Sequence, residues 1–255
     1  MKRMQSGIAV VVMVAATCAA SAQDLWVGLR GGPSIPRLSG GGNEVSRGYE
    51  SRLAPNVGVT AEYFLAGHFS VLTEVDYSGQ GGVRKGLQPI TQSPPGLPPL
   101  PPGQYLYGDF KNESILDYIE IPLLGKYEWE LTDHWRCFAE GGPYVGFLLR
   151  AQERTKGTSL IYADQNRDPL TVGGMPLPPT SFDATTNVRG DLNRVNAGLM
   201  AGVGVAYLLD KWTQVFADVR GEYGLTNVQK NTDLDGKSHT GSAVFLLGCK
   251  FNFGR

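Results

Sequence analysis

The sequence predicts an all-β fold, an eight-stranded antiparallel up-and-down transmembrane β-barrel, and two observations carry that prediction. Eight stretches of the chain alternate apolar and polar residues, which is the period-2 pattern of a strand with one apolar face. The connections between them alternate long and short, at about 20, 3, 35, 4, 43, 3 and 14 residues. A barrel with long loops at one rim and tight turns at the other produces this rhythm.

The first 22 residues are predicted to be a signal peptide, and residues 23–255 are predicted to form one barrel domain. Two basic residues, Lys2 and Arg3, precede an apolar run that is too short to span a bilayer. Small residues then occupy positions 20–22, as a signal peptidase requires on the N-terminal side of its cleavage site. We therefore expect the chain to be exported.

Composition excludes several other classes of protein. The formal net charge is −1, whereas a nucleic-acid-binding protein needs a clustered positive face. No apolar run of 18 or more residues follows the signal, so no transmembrane helix is predicted. Cys137 and Cys249 fall on the fifth and eighth strands, which are not neighbours in the predicted meander, so no disulfide is expected.

Each strand is recognised by apolar residues at alternate positions, and the first three are about 10 to 12 residues long, enough for a tilted strand to cross a bilayer. In chain order the predicted strands are Leu25–Ile35, Pro55–Leu65, His68–Gly79, Ile115–Trp129, Trp135–Arg150, Arg194–Tyr207, Gln214–Leu225 and Ser242–Phe253.

The apolar positions of the first four strands are, strand by strand, Leu25, Val27 and Leu29; Val57, Val59, Ala61, Tyr63 and Leu65; Phe69, Val71, Val75 and Tyr77; and Ile119, Ile121, Leu123, Tyr127 and Trp129. Those of the last four are Trp135, Ala139, Val145, Phe147 and Leu149; Val195, Ala197, Leu199, Val203, Val205 and Tyr207; Val215, Ala217, Val219, Tyr223 and Leu225; and Ala243, Phe245, Leu247, Cys249, Phe251 and Phe253.

Pro122 and Pro143 lie inside the fourth and fifth strands. Because proline cannot donate to a ladder, we expect irregular pairing there.

The charged residues of the strands decide which face points inward. They all occupy the polar positions, so the polar face should line the lumen and the apolar face should meet lipid. Aromatic residues near the strand ends are expected at the membrane interfaces: Tyr63, Tyr77, Tyr127, Trp129, Trp135, Tyr207 and Phe253.

The interior charges form the candidate functional constellation, which we interpret as a charge network in the lumen. Its members are Arg30, Glu62, Glu74, Asp76, Glu120, Lys126, Glu128, Arg136, Glu140, Arg150, Arg194, Asp218, Arg220, Glu222 and Lys250. Eight acidic and seven basic groups nearly balance. Since eight strands leave room only for side chains and buried charges are kept when paired, we expect a plugged lumen rather than a selective pore.

Five phrases within the strands carry a family resemblance. They are Val57-Gly58-Val59-Thr60-Ala61-Glu62-Tyr63-Phe64-Leu65, Leu72-Thr73-Glu74-Val75-Asp76-Tyr77-Ser78-Gly79-Gln80-Gly81, Tyr118-Ile119-Glu120-Ile121-Pro122-Leu123-Leu124, Gly141-Gly142-Pro143-Tyr144-Val145-Gly146 and Tyr223-Gly224-Leu225-Thr226-Asn227. The chain resembles the eight-stranded "outer membrane protein beta-barrel domain" group, also labelled porin-family or PorT-like proteins, along essentially its whole mature length. The resemblance implies a location in the cell outer membrane and brings no catalytic residues. One departure is that Phe253 does not end the chain.

No enzymatic, cofactor or metal site is predicted. His68 and His134 fall at short turns, and His239 beside Ser238 is not a catalytic pair, because neighbouring strand residues point in opposite directions. Residues 164–168 and 231–236 alternate oxygen ligands but lack the glycine or the glutamate that a calcium loop needs. The proline-rich segment 94–102 should be a stiff polyproline II spacer.

The leading functional hypothesis is a non-enzymatic outer-membrane barrel whose long extracellular loops bind or shield something at the cell surface. The alternatives are a small selective pore, a lipid-modifying outer-membrane enzyme and a component of secretion machinery. Expected partners are membrane lipid, the barrel-assembly machinery and a surface ligand held by the loops. A monomer is expected.

Overall fold

The computed structural model describes residues 25–90, 100–101 and 104–254. The predicted signal peptide, residues 1–22, lies outside the described residues, and so does most of the proline-rich segment 94–102. Among the helices of the described chain, none is both long enough and apolar enough to cross a membrane.

Eight long strands build the molecule: β1 (Leu25–Gly40), β2 (Ala54–Ala66), β3 (Phe69–Arg84), β4 (Lys111–Glu130), β5 (Trp135–Lys156), β6 (Val195–Asp210), β7 (Thr213–Gly224) and β8 (Ser238–Asn252). Each of the eight predicted strands overlaps one of them, with bounds that differ by one or more residues. Several run further toward the long connections than predicted, as β4 and β5 show. The alternation of apolar residues marks only the part of a strand that has one apolar face, so it does not reveal these extensions.

The eight strands pair antiparallel in a ring. Each strand pairs with the next along the chain, and β1 completes the ring by pairing with β8. Leu29, for example, lies opposite Val59 on β2 and opposite Cys249 on β8. The predicted all-β, eight-stranded antiparallel architecture is therefore confirmed.

The three tight turns lie at one end, called the short-turn rim, together with Leu25 and Phe253. Gly67 adopts a positive φ of 56° between β2 and β3, a conformation that favours glycine. The Thr132 hydroxyl accepts the backbone N–H of Trp135 at 3.0 Å between β4 and β5. Between β6 and β7, the Asp210 carboxylate accepts the N–H of Trp212 at 2.6 Å. Asx and ST turns of this kind fix short connections.

The long connections at the opposite end, called the loop rim, are folded to a large extent. Short strands pair there as Leu87–Ile90 with Leu106–Asp109, Thr158–Ser159 with Thr180–Ser181, and Thr171–Val172 with Met175–Pro176. A further strand, Ala184–Asn187, pairs with the far end of β5. The last long connection contains the short helix α1 (Thr232–Asp235).

Pairing between β4 and its neighbours contains the expected irregularities. The β3–β4 ladder is interrupted at Pro122, between Thr73↔Leu123 and Asp76↔Glu120. Pro143 lies in a matching interruption of the β4–β5 ladder. A register shift at Asp117/Tyr118 was not predicted, and it leaves one extra residue on β5, as a bulge does.

The two faces of the ring have opposite character. Large apolar side chains point outward and are exposed, among them Leu29, Val203 and Leu247. Aromatic residues gather at the short-turn rim, where Tyr127 contacts Phe69 and Trp129, and Trp135 contacts Tyr207, with ring centroids 4.6–4.9 Å apart. Polar side chains fill the interior. Apolar side chains therefore face outward and polar side chains face inward, as the alternation predicts.

Candidate functional site: the lumen and the loop rim

A cluster centred on two lysines, called the lysine cluster, occupies the lumen near the short-turn rim. Lys126 donates to Glu128 at 2.6 Å and lies 3.1 Å from an oxygen of Glu62. Lys250, on β8, also contacts Glu62. Arg136, half-buried at the rim, lies 3.3 Å from Glu128. Every carboxylate of this cluster therefore has a cationic partner.

A second cluster, called the arginine cluster, lies deeper in the lumen. The Arg30 guanidinium contacts Glu74 and Asp76, each at 2.8 Å. Arg220 binds the other oxygen of Glu74 at 2.7 Å and also contacts Glu140. Glu74 thus bridges two arginines from β1 and β7. Asp218 lies at the edge, 3.9 Å from Arg220.

Glu120 and Glu222 lie on the loop-rim side of these clusters, in a part of the chamber called the upper lumen. Both are buried, and the described residues form no salt bridge with either. Glu222 accepts hydrogen bonds from Gln80 at 3.0 Å and from Ser242 at 2.6 Å. Among the described residues, the Ser78 hydroxyl is the hydrogen-bond donor next to Glu120. These two carboxylates differ from the other six in lacking a direct cationic partner.

The structure does not bring Arg150 and Arg194 into the lumen, which corrects two of the predicted positions. Arg150 follows the register shift, so its parity is reversed; its side chain is 46% exposed and lies 3.8 Å from Asp117. Arg194 precedes the first residue of β6 and is exposed. Beyond a bulge, or outside the paired ladder, alternation no longer indicates the interior.

The loss of these two arginines changes the charge balance of the lumen. All eight predicted carboxylates are buried, but the fully buried basic groups among the predicted set are Arg30, Lys126, Arg220 and Lys250. The expectation that interior charges nearly cancel is therefore wrong, and the lumen carries an excess of acidic groups.

Above the carboxylates, an apolar cluster packs in the lumen toward the loop rim, and we call it the apolar cap. It consists of Leu38, Tyr49, Leu116, Tyr118, Leu148, Ala151, Leu192 and Val228. Sequence reasoning missed it, because Tyr49, Leu192 and Val228 belong to connections. The continued alternation of Leu38 with exposed Arg37 and Ser39 is the one local signal that could have indicated it.

A crevice of about 250 Å³ opens between the loops beside this cap. Its walls include the rings of Phe110 and Phe182, which stack with centroids 4.6 Å apart, and the phenol of Tyr49. The Arg84 guanidinium donates to the backbone oxygen of Glu44 at 2.9 Å. Burial lowers the pKa of Arg84 and raises that of Tyr49. No sequence motif indicated this crevice, since its residues come from separate loops.

Three carboxylates meet at the loop rim, where Glu153, Asp191 and Asp235 line a neighbouring cavity. Burial raises the pKa of Glu153, and repulsion by Asp235 and Asp191 raises it further. Within the described chain, no group of three or more His, Cys, Asp and Glu side chains has an arrangement suited to a metal ion.

Ser238 and His239 engage different neighbours. The Ser238 hydroxyl accepts a hydrogen bond from Gln229 at 3.0 Å. The His239 ring stacks on Tyr223, with centroids 6.1 Å apart, and its Nδ1 lies 3.2 Å from the backbone oxygen of Gly224. The geometry therefore forms no nucleophile–base pair from these two residues.

The family model described as "Outer membrane protein beta-barrel domain" matches residues 21–230. Among solved structures, Neisserial surface protein A is 14% identical, with a TM-score of 0.44, covering 90% of this chain and 97% of that one. Outer membrane protein OprG from Pseudomonas aeruginosa is 10% identical, with a TM-score of 0.42, covering 91% and 97%. The E. coli outer membrane protein W is 13% identical, with a TM-score of 0.38, covering 92% and 100%. Among curated proteins, none matches the chain.

Proposed function

Because the chain belongs to the outer membrane protein beta-barrel domain family and therefore resides in the cell outer membrane, we propose that it is a non-enzymatic surface protein whose folded loops bind a ligand. We also predict that the protein contacts membrane lipid, that the barrel-assembly machinery inserts it and that it is a monomer.

The filled lumen carries this proposal. The lysine and arginine clusters join side chains across the ring, and the apolar cap lies above them; Arg220, Tyr118 and Leu116 are each at most 1% exposed. A narrow eight-stranded barrel filled in this way is a support rather than a conduit. Rigid barrels of this kind commonly carry their function on loops.

The crevice beside the cap is the part of the loops best suited to binding. Phe110 and Phe182 offer an aromatic wall, while Arg84 adds a guanidinium at the same opening. Concave sites that combine apolar walls with a few polar groups are typical of ligand binding. We propose a ligand that has an apolar or planar face and hydrogen-bond acceptors, such as a surface saccharide.

The test is a binding screen with the full chain in nanodiscs against arrays of purified glycans and lipopolysaccharides. We expect at least one probe to bind, and the double variant Phe182→Ala/Arg84→Gln to weaken that binding at least about tenfold, the effect of losing about 1.4 kcal/mol. Glu50→Gln, at an exposed position of the same rim, is the matched control. Equal binding by both variants would exclude the crevice, and an array without a binder would contradict the saccharide assignment.

The proposal also requires the loop rim to face the cell exterior. A cysteine placed at Asp183 should react with an impermeant maleimide on intact cells, whereas one placed at Asp210 should react only after the outer membrane is opened. Labelling of the Asp210 position in unbroken cells would reverse the orientation and contradict surface binding by these loops.

A small cation-selective pore is the second candidate, and the excess of interior carboxylates favours it. Single-channel recording in a planar bilayer separates the two functions. We expect no stable conductance from the purified barrel. A steady cation-selective current that changes in Glu120→Gln would replace the proposal of a filled support with that of a pore.

A further inference from the structure

The upper lumen contains a carboxylate whose burial is not compensated by the protein. Glu120 is 1% exposed, and among the described residues the Ser78 hydroxyl is the polar group that hydrogen-bonds it, while no basic side chain forms a salt bridge with it. Glu222 and Asp76 are the carboxylates close enough to repel it. Arg30 is a cation that acts on it, but that guanidinium already holds Glu74 and Asp76. Burial of an ionised carboxylate is costly unless a cation compensates its charge.

Neutral oxygen-bearing side chains in the same part of the lumen lack partners. Asn56 is 1% exposed, and neither the oxygen nor the nitrogen of its side-chain amide is hydrogen-bonded within the described chain. The Ser34 hydroxyl is fully buried and also has no hydrogen bond there. The side-chain oxygen of Gln80 is likewise free of protein partners there. Buried polar groups are normally bonded, so water or an ion completes the bonding of these oxygens.

Strand pairing connects these groups to the two glutamates. Asn56 lies opposite Ser78 on β3. The Ser78 hydroxyl accepts a hydrogen bond from Gln80 at 3.0 Å, and the same amide donates to Glu222. The amide, the hydroxyl and the carboxylates thus belong to one continuous polar surface that faces the lumen.

We propose that Glu120 and Glu222, together with the oxygens of Asn56, Gln80 and Ser34, bind one divalent cation such as Ca²⁺ inside the barrel. Hard divalent cations take six or more oxygen ligands, and carboxylates combine with amide oxygens in such sites. Two carboxylates neutralise one divalent ion, and this ion offsets half of the excess of buried carboxylates over buried basic groups in the lumen. The site draws on five strands, so no local spacing in the sequence indicates it.

This inference concerns the lumen and does not depend on what the loops bind. The full chain is refolded in detergent with EDTA or with Ca²⁺, and its unfolding midpoint in guanidinium is measured. A ligand that binds only the folded state raises the midpoint with the logarithm of its concentration. We expect this rise in the wild type and its loss in Glu120→Gln, which in EDTA should be at least as stable as the wild type because repulsion by Glu222 is removed.

Glu130→Gln is the matched control, since Glu130 lies at the short-turn rim with its side chain 59% exposed, and it should keep the full response to Ca²⁺. A second readout uses Tb³⁺ in place of Ca²⁺. Tyr118 and Tyr144 lie near Glu120, so their excitation should sensitise Tb³⁺ emission. Asn56→Leu retains both carboxylates and should weaken Tb³⁺ binding. It replaces Glu120→Gln as the test variant if Glu120→Gln does not fold.

Two results would overturn the proposal. One is a wild-type midpoint that responds to pH but not to Ca²⁺ or Tb³⁺, which would mean that protons alone neutralise the glutamates. The other is an equal response to Ca²⁺ in the wild type and in Glu120→Gln, which would place the ion elsewhere.

Discussion

The two halves of the lumen are stabilised in different ways. Toward the short-turn rim, the lysine and arginine clusters pair six carboxylates with cations, among them Glu74 with Arg220, which lies 146 sequence positions away. Toward the loop rim, Glu120 and Glu222 form no salt bridge with any described residue and lie below the apolar cap. The lower half is therefore a charge-paired core, whereas the upper half combines apolar packing with an uncompensated polar surface.

This difference shows that interior position and interior pairing are separate properties. Alternation places a side chain inside the ring, but the partner it meets depends on which strands face each other across the lumen. Removing a cation should therefore be most damaging in the lower half, and removing an apolar side chain should be most damaging in the upper half.

The largest effect is expected from Arg220→Met in the arginine cluster. Methionine retains much of the volume but leaves Glu74 and Glu140 without the guanidinium that both contact, so unfolding should become easier by about 3–5 kcal/mol. The measurement is guanidinium unfolding of the detergent-folded barrel, followed by tryptophan fluorescence. Arg150→Met, at an exposed position, is the control and should cost less than about 1 kcal/mol. A similar loss of unfolding free energy in both variants would contradict the claim that ion pairing stabilises the lower half of the lumen.

Leu116→Ala tests the apolar cap in the upper half. Leu116 is fully buried there, so truncation should lower the free energy of unfolding by roughly 2–4 kcal/mol through lost burial and the cavity left behind. Leu123→Ala is the matched control on the same strand, because Leu123 points outward and is 57% exposed. A cost no greater than that of the control would mean that the cap does not stabilise the upper half.

Sequence alone predicts the eight strands, their order and the interior position of most charged residues, because all three follow from alternation. It fails at Arg150, because the bulge at Asp117/Tyr118 adds one residue to β5 and reverses the parity beyond it. It also fails at Tyr49 and Leu192, which join the apolar cap from connections where no period exists. Loop packing depends on contacts between distant segments, which one sequence does not reveal.

A smaller effect is expected from Arg136→Ala, which tests how deep a pair must lie to matter. Arg136 contacts Glu128 at the short-turn rim, where its side chain is 25% exposed, and Lys126 continues to hold Glu128 in the variant. The free energy of unfolding should fall by less than about 1 kcal/mol, measured in the same unfolding experiment as for Arg220→Met. A loss as large as that of Arg220→Met would remove the distinction between rim and interior.

The smallest effect is expected at the loop rim and concerns pH. Burial, with Asp235 and Asp191 adding repulsion, raises the pKa of Glu153 above its usual 4.5. Just above pH 4.5, the folded loops therefore bind more protons than the unfolded chain. Protonation of Glu153 stabilises the folded loops at low pH, and this stabilisation is lost as the pH rises through the raised pKa. Backbone amides of residues 184–187, which pair with β5 beside Glu153, should exchange faster at pH 7.5 than at pH 5, after correction for intrinsic exchange rates. Glu153→Gln should abolish this difference, whereas Glu50→Gln, at an exposed position, should retain it. Identical pH dependence in both variants would assign the effect to other groups of the loop rim.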